Sequence, residues 1–131
     1  MDKLIIVGIG GFFGANARYA LTIWTDNILA PRWGSFPYGT LVVNIIGSFG
    51  LAFFGAWFSA RTDLSPYLRL LLGAGFFGAF TTFSTYANES IAMLESGARV
   101  LPLLNLLLNN GCCFIGVALG LMLSHKLFGV A

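Results

Sequence analysis

Charge is what this sequence has least of. Only 9% of its 131 residues are charged, against ~25% in an ordinary soluble domain. That shortage leaves no room for a soluble domain and marks an integral membrane protein. Seven basic and five acidic residues leave a net charge of +2. They are too few and too scattered to form the basic footprint of a nucleic-acid partner. Histidine occurs once, at His125, where it reads as an interfacial residue. No metal-ligand cluster, catalytic triad or P-loop is present, so nothing points to an enzyme. The two cysteines, Cys112 and Cys113, are adjacent, which disfavours an unstrained mutual disulfide. They read as small buried apolar residues that say little about redox compartment. Met1-Asp2-Lys3 lacks the strongly basic start of a signal peptide, and the apolar run that follows is too long for one. The first segment is therefore expected to be a retained transmembrane helix.

Apolar residues fill the space that charge leaves. They make up 57% of the chain, with a mean hydropathy of +0.84. Four spans emerge, each near the ~20 residues needed to cross ~30 Å of hydrocarbon. They run at about 4–24, 38–60, 67–95 and 100–124, so the fold class is an all-α membrane protein of one four-helix domain. A loop bearing Pro, Gly and Trp joins the first pair and ends at Pro37. The polar stretch Arg61-Thr62-Asp63-Leu64-Ser65-Pro66 turns the chain back, with Pro66 suited to open the third helix. Ser96-Gly97-Ala98 makes the last turn.

The third span is the anomaly. Its 29 residues, 67–95, would make a continuous helix ~43 Å long, which overshoots the bilayer unless it tilts strongly or breaks. Gly75, Gly78 and the Thr81-Thr82 pair supply weak points for a break at 78–82. Such a break would expose carbonyls able to hold a cation. A tilted helix with glycines for close packing is the other reading. The same stretch contains Gly73-x-Gly75-x-x-Gly78, which fits a dinucleotide-binding pattern but has meaning only between a strand and a helix.

Polar residues gather in one half of the spans. Arg18 precedes Trp24 by six residues, Asn44 follows Tyr38 by six, and Glu89 precedes Glu95 by six. Each lies ~9 Å along its helix from the same side. Asn105 and Asn109 sit in the matching half of the fourth span. Thr40, Asn44 and Ser48 share one helix face, and Asn105, Asn109, Cys113 and Val117 share another. The pattern suggests a water-filled vestibule, though interhelical packing and hydrogen bonding would also produce such stripes. Arg18 either faces that vestibule or snorkels to the interface, and Glu89 either pairs with Arg18 or reaches vestibule water. Gly10-x-x-x-Gly14 and Gly116-x-x-x-Gly120 read as packing motifs. Lys3, Arg61, Arg69 and Lys126 lie on one side and Arg32, Arg99 and the deeper Arg18 on the other. Four against three is a weak orientation signal, compatible with insertion either way.

These residues resemble the small bacterial fluoride channels called Fluc or CrcB. The resemblance covers essentially the whole chain. It rests on Gly14-x-x-x-Arg18-Tyr19, on Gly39-Thr40-Leu41-x-Val43-Asn44, and on Gly78-x-x-Thr81-Thr82-Phe83-Ser84-Thr85 with Glu89. It implies an antiparallel homodimer in the cytoplasmic membrane, inserted in both orientations, with two fluoride pores and a third helix broken at the bilayer centre. A structural sodium ion is implied there, held by backbone carbonyls of Gly78 and Thr81 from both subunits. The implied pore residues are Asn44, Phe83, Tyr86, Thr40, Arg18, Glu89, Asn109 and Cys113. Two positions depart from the family: Tyr86 replaces a phenylalanine, and Cys113 and Val117 stand in a track usually rich in hydroxyls. A proton-coupled multidrug exporter, the main rival, would want a carboxylate in the first span, where Arg18 stands. A non-transporting assembly subunit would leave the polar half-bundle without a purpose.

Overall fold

A computed structural model describes residues 1–61 and 63–129. Thr62, expected in the second loop, lies outside them. The described residues are all-helical. α1 is Asp2–Trp33 and α2 is Tyr38–Ala60. α3 (66–80) opens as Pro66–Arg69, widens into a π-helix over Leu70–Phe77 and closes as Gly78–Phe80. α4 is Phe83–Glu95 and α5 is Val100–Phe128. Four stretches are long and apolar enough to cross a membrane: Asp2–Trp33, Tyr38–Ala60, Pro66–Glu95 and Val100–Phe128.

α1 runs nine residues past the expected end at Trp24. Apolar character fades there, but helical hydrogen bonding does not. Thr25 is buried, and the Asp26 carboxylate accepts from the Gly39 N–H at 2.8 Å. The polar end of α1 thus satisfies an unpaired donor at the start of α2, where no side-chain cap exists. Pro31 falls in the last turn of α1, so it costs a single helical bond and the helix stops soon after. α5 likewise extends to Phe128, about one turn beyond expectation.

The connections follow local chemistry. Pro66 occupies the first turn of α3, behind Ser65, whose hydroxyl accepts from Tyr67 N at 3.2 Å. Just beyond α4 the chain turns at Gly97, with φ +87°, a conformation glycine adopts without steric cost. There the Gly97 N–H reaches Leu94 O and the Ala98 N–H reaches Met93 O, closing off the helix. On the 61–66 loop Arg61 grips Asp63 through two bonds of 3.0 and 3.1 Å. That grip holds the Asp63 carboxyl below the usual carboxylate range, but the pair is exposed and adds little stability.

Glycines set how closely the helices approach. A Cβ on Gly10 would meet Leu71 O and Phe76 N, and one on Gly14 would meet the Phe76 carbonyl. α1 therefore rests directly on the backbone of the π-helical stretch. A Cβ on Gly120 would meet Phe49 O and lie 3.1 Å from Phe53 N, and one on Gly116 would lie 3.2 Å from Ile45 O. α5 is seated on α2 in the same way. Both glycine pairs act as the packing motifs that small residues provide between membrane helices. Substituting Gly14→Val should therefore abolish a monodisperse peak in detergent gel filtration. Gly111→Ala adds a Cβ that meets nothing within the chain. It should keep that peak and raise thermal stability by up to about 1 kcal/mol through helix propensity.

Candidate functional site

α3 and α4 are separated by two residues of extended backbone: Thr81 at φ −80°, ψ 156° and Thr82 at φ −149°, ψ 107°. Such a gap frees peptide groups, and an unpaired one in an apolar interior costs roughly 2–7 kcal/mol. The side chain of Asn44 meets this demand. Its Oδ1 accepts from Thr82 N at 2.8 Å, and its Nδ2 donates to Thr82 O at 3.1 Å. One amide thereby replaces, for Thr82, both partners that a continuous helix would have supplied. Thr82 in turn caps α4, its hydroxyl accepting from Thr85 N at 3.3 Å.

From Asn44 a chain of amides crosses to α5 and returns. Asn44 Nδ2 donates to Asn109 Oδ1 at 3.0 Å, and Asn109 Nδ2 to Asn105 Oδ1 at 2.7 Å. Asn105 Nδ2 donates to Ser90 Oγ at 2.9 Å, and Ser90 Oγ to the Tyr86 carbonyl at 2.8 Å. Every link points the same way, so the amide orientations are mutually fixed. Asn44, Asn105 and Asn109 are all buried. Both N–H groups of Asn44 are consumed, one by Thr82 and one by Asn109.

A cavity of about 330 Å³ opens beside this chain. Asn44, Thr81, Phe83, Tyr86, Asn109 and Cys113 line it, all of them sequence-predicted, together with Ser48, Thr82, Asn110 and the apolar Leu51, Phe114 and Val117. Phe83 and Tyr86 meet edge to face, with ring centroids 5.4 Å apart and planes at 68°. Tyr86 is buried, while Phe83 is 76% exposed on the isolated chain. The first turn of α4, with its partial positive charge, begins at Phe83.

The other predicted residues lie apart from the cavity. Thr40 is buried and donates from Oγ1 to Glu89 Oε1 at 2.8 Å. The Arg18–Glu89 pairing entertained from matching depth is not made; Glu89 turns to Thr40. Depth along a helix fixes height but not bearing. Arg18 is half-buried on α1, and among the described residues the only ion pair joins Arg61 to Asp63. Gly78 is exposed and lines no part of the cavity. Two residues of this region escaped the sequence reading. Ser90 carried no signal beyond a hydroxyl near Glu89, and Asn110 was masked by Asn109, one residue and about 100° of helix away.

The amide chain predicts a stability effect separable from transport. Asn105→Leu leaves the buried Asn109 Nδ2 without its acceptor and Ser90 Oγ without its donor, a loss of about 1–3 kcal/mol. Thermal unfolding in detergent should show it, and a midpoint equal to that of the unsubstituted protein would refute it.

Residues 5–121 match the family described as CrcB-like protein, Camphor Resistance (CrcB). The fluoride-specific ion channel FluC of Clostridium perfringens (strain 13 / Type A) is 39% identical over 131 residues, covering 98% of this chain and 100% of that protein. The FluC of Roseiflexus sp. (strain RS-1) is 43% identical over 119 residues, 90% of this chain and 93% of that one. The FluC of Shewanella sp. (strain W3-18-1) is 40% identical over 120 residues, 92% and 94% of the two chains. With four apolar helices, the glycine-seated packing and a match along nearly its whole length, the chain belongs to the CrcB-like family.

Proposed function

We propose that the chain is a fluoride-selective passive channel of the cytoplasmic membrane. It works as an antiparallel homodimer and lets cytoplasmic fluoride escape after HF has entered and dissociated. The ion is the one for which its FluC relatives are named. The observation that carries the reading is the cavity, where paired aromatic ring edges, amides and a helix N-terminus meet.

An anion leaving water needs a substitute for its hydration shell, because a bare buried charge is costly. The positive edges of aromatic rings can supply part of it, and Phe83 and Tyr86 both line the cavity. Asn44 takes part by exchange. An anion reaching it competes with Asn109 Oδ1 for the same N–H, so the bond made on arrival replaces one already present. Thr40, Glu89 and Arg18 belong to the approach, where the Arg18 guanidinium draws anions toward the vestibule. Asn109 and Cys113 continue the cavity wall along α5. No step makes or breaks a covalent bond.

The dimer is supported by what a single chain leaves uncovered. Phe83, Ser84 and Thr85 are exposed beside the break, and hydroxyls facing hydrocarbon are unfavourable. A second copy packed there would cover them, and the near balance of basic residues suits a partner inserted the other way up. The implied structural sodium also fits these residues. Among the described residues no hydrogen bond reaches the carbonyls of Gly78 or Thr81. Free carbonyls of unwound helix are the usual ligands of a sodium ion. Two from each subunit would hold it at the dimer centre, with the breaks at mid-membrane, and its charge would favour an anion nearby. A proton-coupled exporter is not favoured, since the polar residue of α1 at this depth is Arg18.

Proteoliposomes loaded with fluoride or chloride test the function. Fluoride should leave quickly and chloride should be retained; equal permeation of both, or of neither, would sink the assignment. Phe83→Ile and Asn44→Ala should each lower fluoride efflux at least about tenfold, a loss of ~1.4 kcal/mol at the barrier. Only Asn44→Ala should also lower thermal stability, because it alone unpairs the Thr82 backbone.

A further inference from the structure

The resemblance implies a phenylalanine at position 86, and the hydroxyl of the tyrosine that stands there is specifically engaged. The phenol oxygen accepts from Asn110 Nδ2 at 3.0 Å. Asn110 is itself anchored, since the same nitrogen donates to Leu106 O at 2.7 Å, one turn earlier on α5. With both amide hydrogens placed, Asn110 cannot swing without breaking a bond. It stands outside the chain that joins Asn44, Asn109, Asn105 and Ser90. Among the described residues it has one partner beyond its own helix, Tyr86.

A phenol both accepts and donates. Asn110 takes the accepting side, and among the described residues no acceptor takes the Tyr86 proton. Tyr86 and Asn110 both line the cavity that Asn44, Phe83 and Asn109 share. We infer that the Tyr86 O–H is a fluoride-binding group of this cavity and that Asn110 is the positioning residue that orients it. The inference rests on the fluoride-channel reading above and adds a donor that a phenylalanine could not supply. By holding the oxygen's lone pair toward α5, Asn110 leaves the hydrogen to point at an anion in the cavity. Donors to ionised acceptors form the stronger hydrogen bonds. The small fluoride ion, with its charge concentrated, gains more from one than chloride does. The same bond pins the Tyr86 ring, and with it the edge-to-face contact that Phe83, exposed on the chain, makes with Tyr86.

The test is the concentration dependence of fluoride efflux from proteoliposomes, with chloride efflux alongside. It compares the unsubstituted protein, Tyr86→Phe, Asn110→Leu and the double variant. Each single substitution should raise the fluoride concentration giving half-maximal flux by about tenfold, the size of one hydrogen bond to a charged group. Each should also narrow the fluoride-to-chloride ratio. The double variant should be no worse than either single one to within about twofold, because both remove the same interaction. Additive losses in the double variant would mark Asn110 as merely structural and overturn the inference. So would unshifted half-saturation in either single variant. Asn110→Ser, too short to reach the phenol, takes the place of Asn110→Leu if the latter is not monodisperse. An unsubstituted protein that fails to discriminate fluoride from chloride defeats the channel reading and this inference together. A discriminating one with indifferent Asn110 variants defeats this inference alone.

Discussion

Two hydrogen bonds from one side chain to the backbone of Thr82 make the rest of this structure possible. A helix within hydrocarbon satisfies its own peptide groups, and any interruption must find them other partners. Asn44 is the partner here, placed on α2 at the height of the gap and matching both an N–H and a C=O. The gap ends α3 at Phe80 and lets α4 begin afresh at Phe83. It also turns Phe83 and Tyr86 toward the space between α2, α4 and α5. Remove the clamp and the extended residues lose their reason to stay extended. The aromatic pair would then lose its bearing.

The clamp is stiffened from behind. Isolated interhelical hydrogen bonds in membranes are worth ~0.6 kcal/mol on average, too little to hold a break singly. Four bonds in series, two of them between helices, run from Asn44 through Asn109, Asn105 and Ser90 to the Tyr86 carbonyl and tie both Asn44 and α4 to α5. Asparagine suits this task better than serine because its amide donates and accepts at separate atoms. On α5 Cys113 and Val117 follow Asn109 at helical spacing, and the polar half of the helix is firm for containing Asn105 and Asn109.

Most of the fold was legible because hydropathy and length govern membrane helices. The four spans follow from apolar runs, and the glycine pairs at 10/14 and 116/120 follow from helical spacing. The end of α1 was not legible, since Thr25 and Asp26 look like loop residues until their tertiary partners are known. Six of the cavity-lining residues were in reach of the sequence, because Asn44, Asn109 and Cys113 recur at helical spacing and the Thr81–Tyr86 run is distinctive. Bearing was the missing quantity. Glu89 and Arg18 share a depth, but rotation about each axis gives Glu89 to Thr40. Asn110 was hidden for the same reason, one residue from a conspicuous neighbour and aimed at a side chain on another helix.

The exposed side of the break carries the remaining physics. On the isolated chain Phe83, Ser84, Thr85 and Gly78 face outward, although the adjoining Thr82 and Tyr86 are buried. A surface with hydroxyls and unpaired carbonyls is unsuited to lipid, and one with an exposed phenylalanine is unsuited to water. In the proposed dimer another copy of the same chain would resolve both problems by covering this surface with its own mixture of ring and hydroxyls. The arrangement would also confine the anion. Ring edges can bind a fluoride ion only where water is excluded, and a lone chain leaves Phe83 open on one side. In the proposed dimer the cavity of a single subunit would be half a site, and the covering copy would complete the wall that dehydration requires.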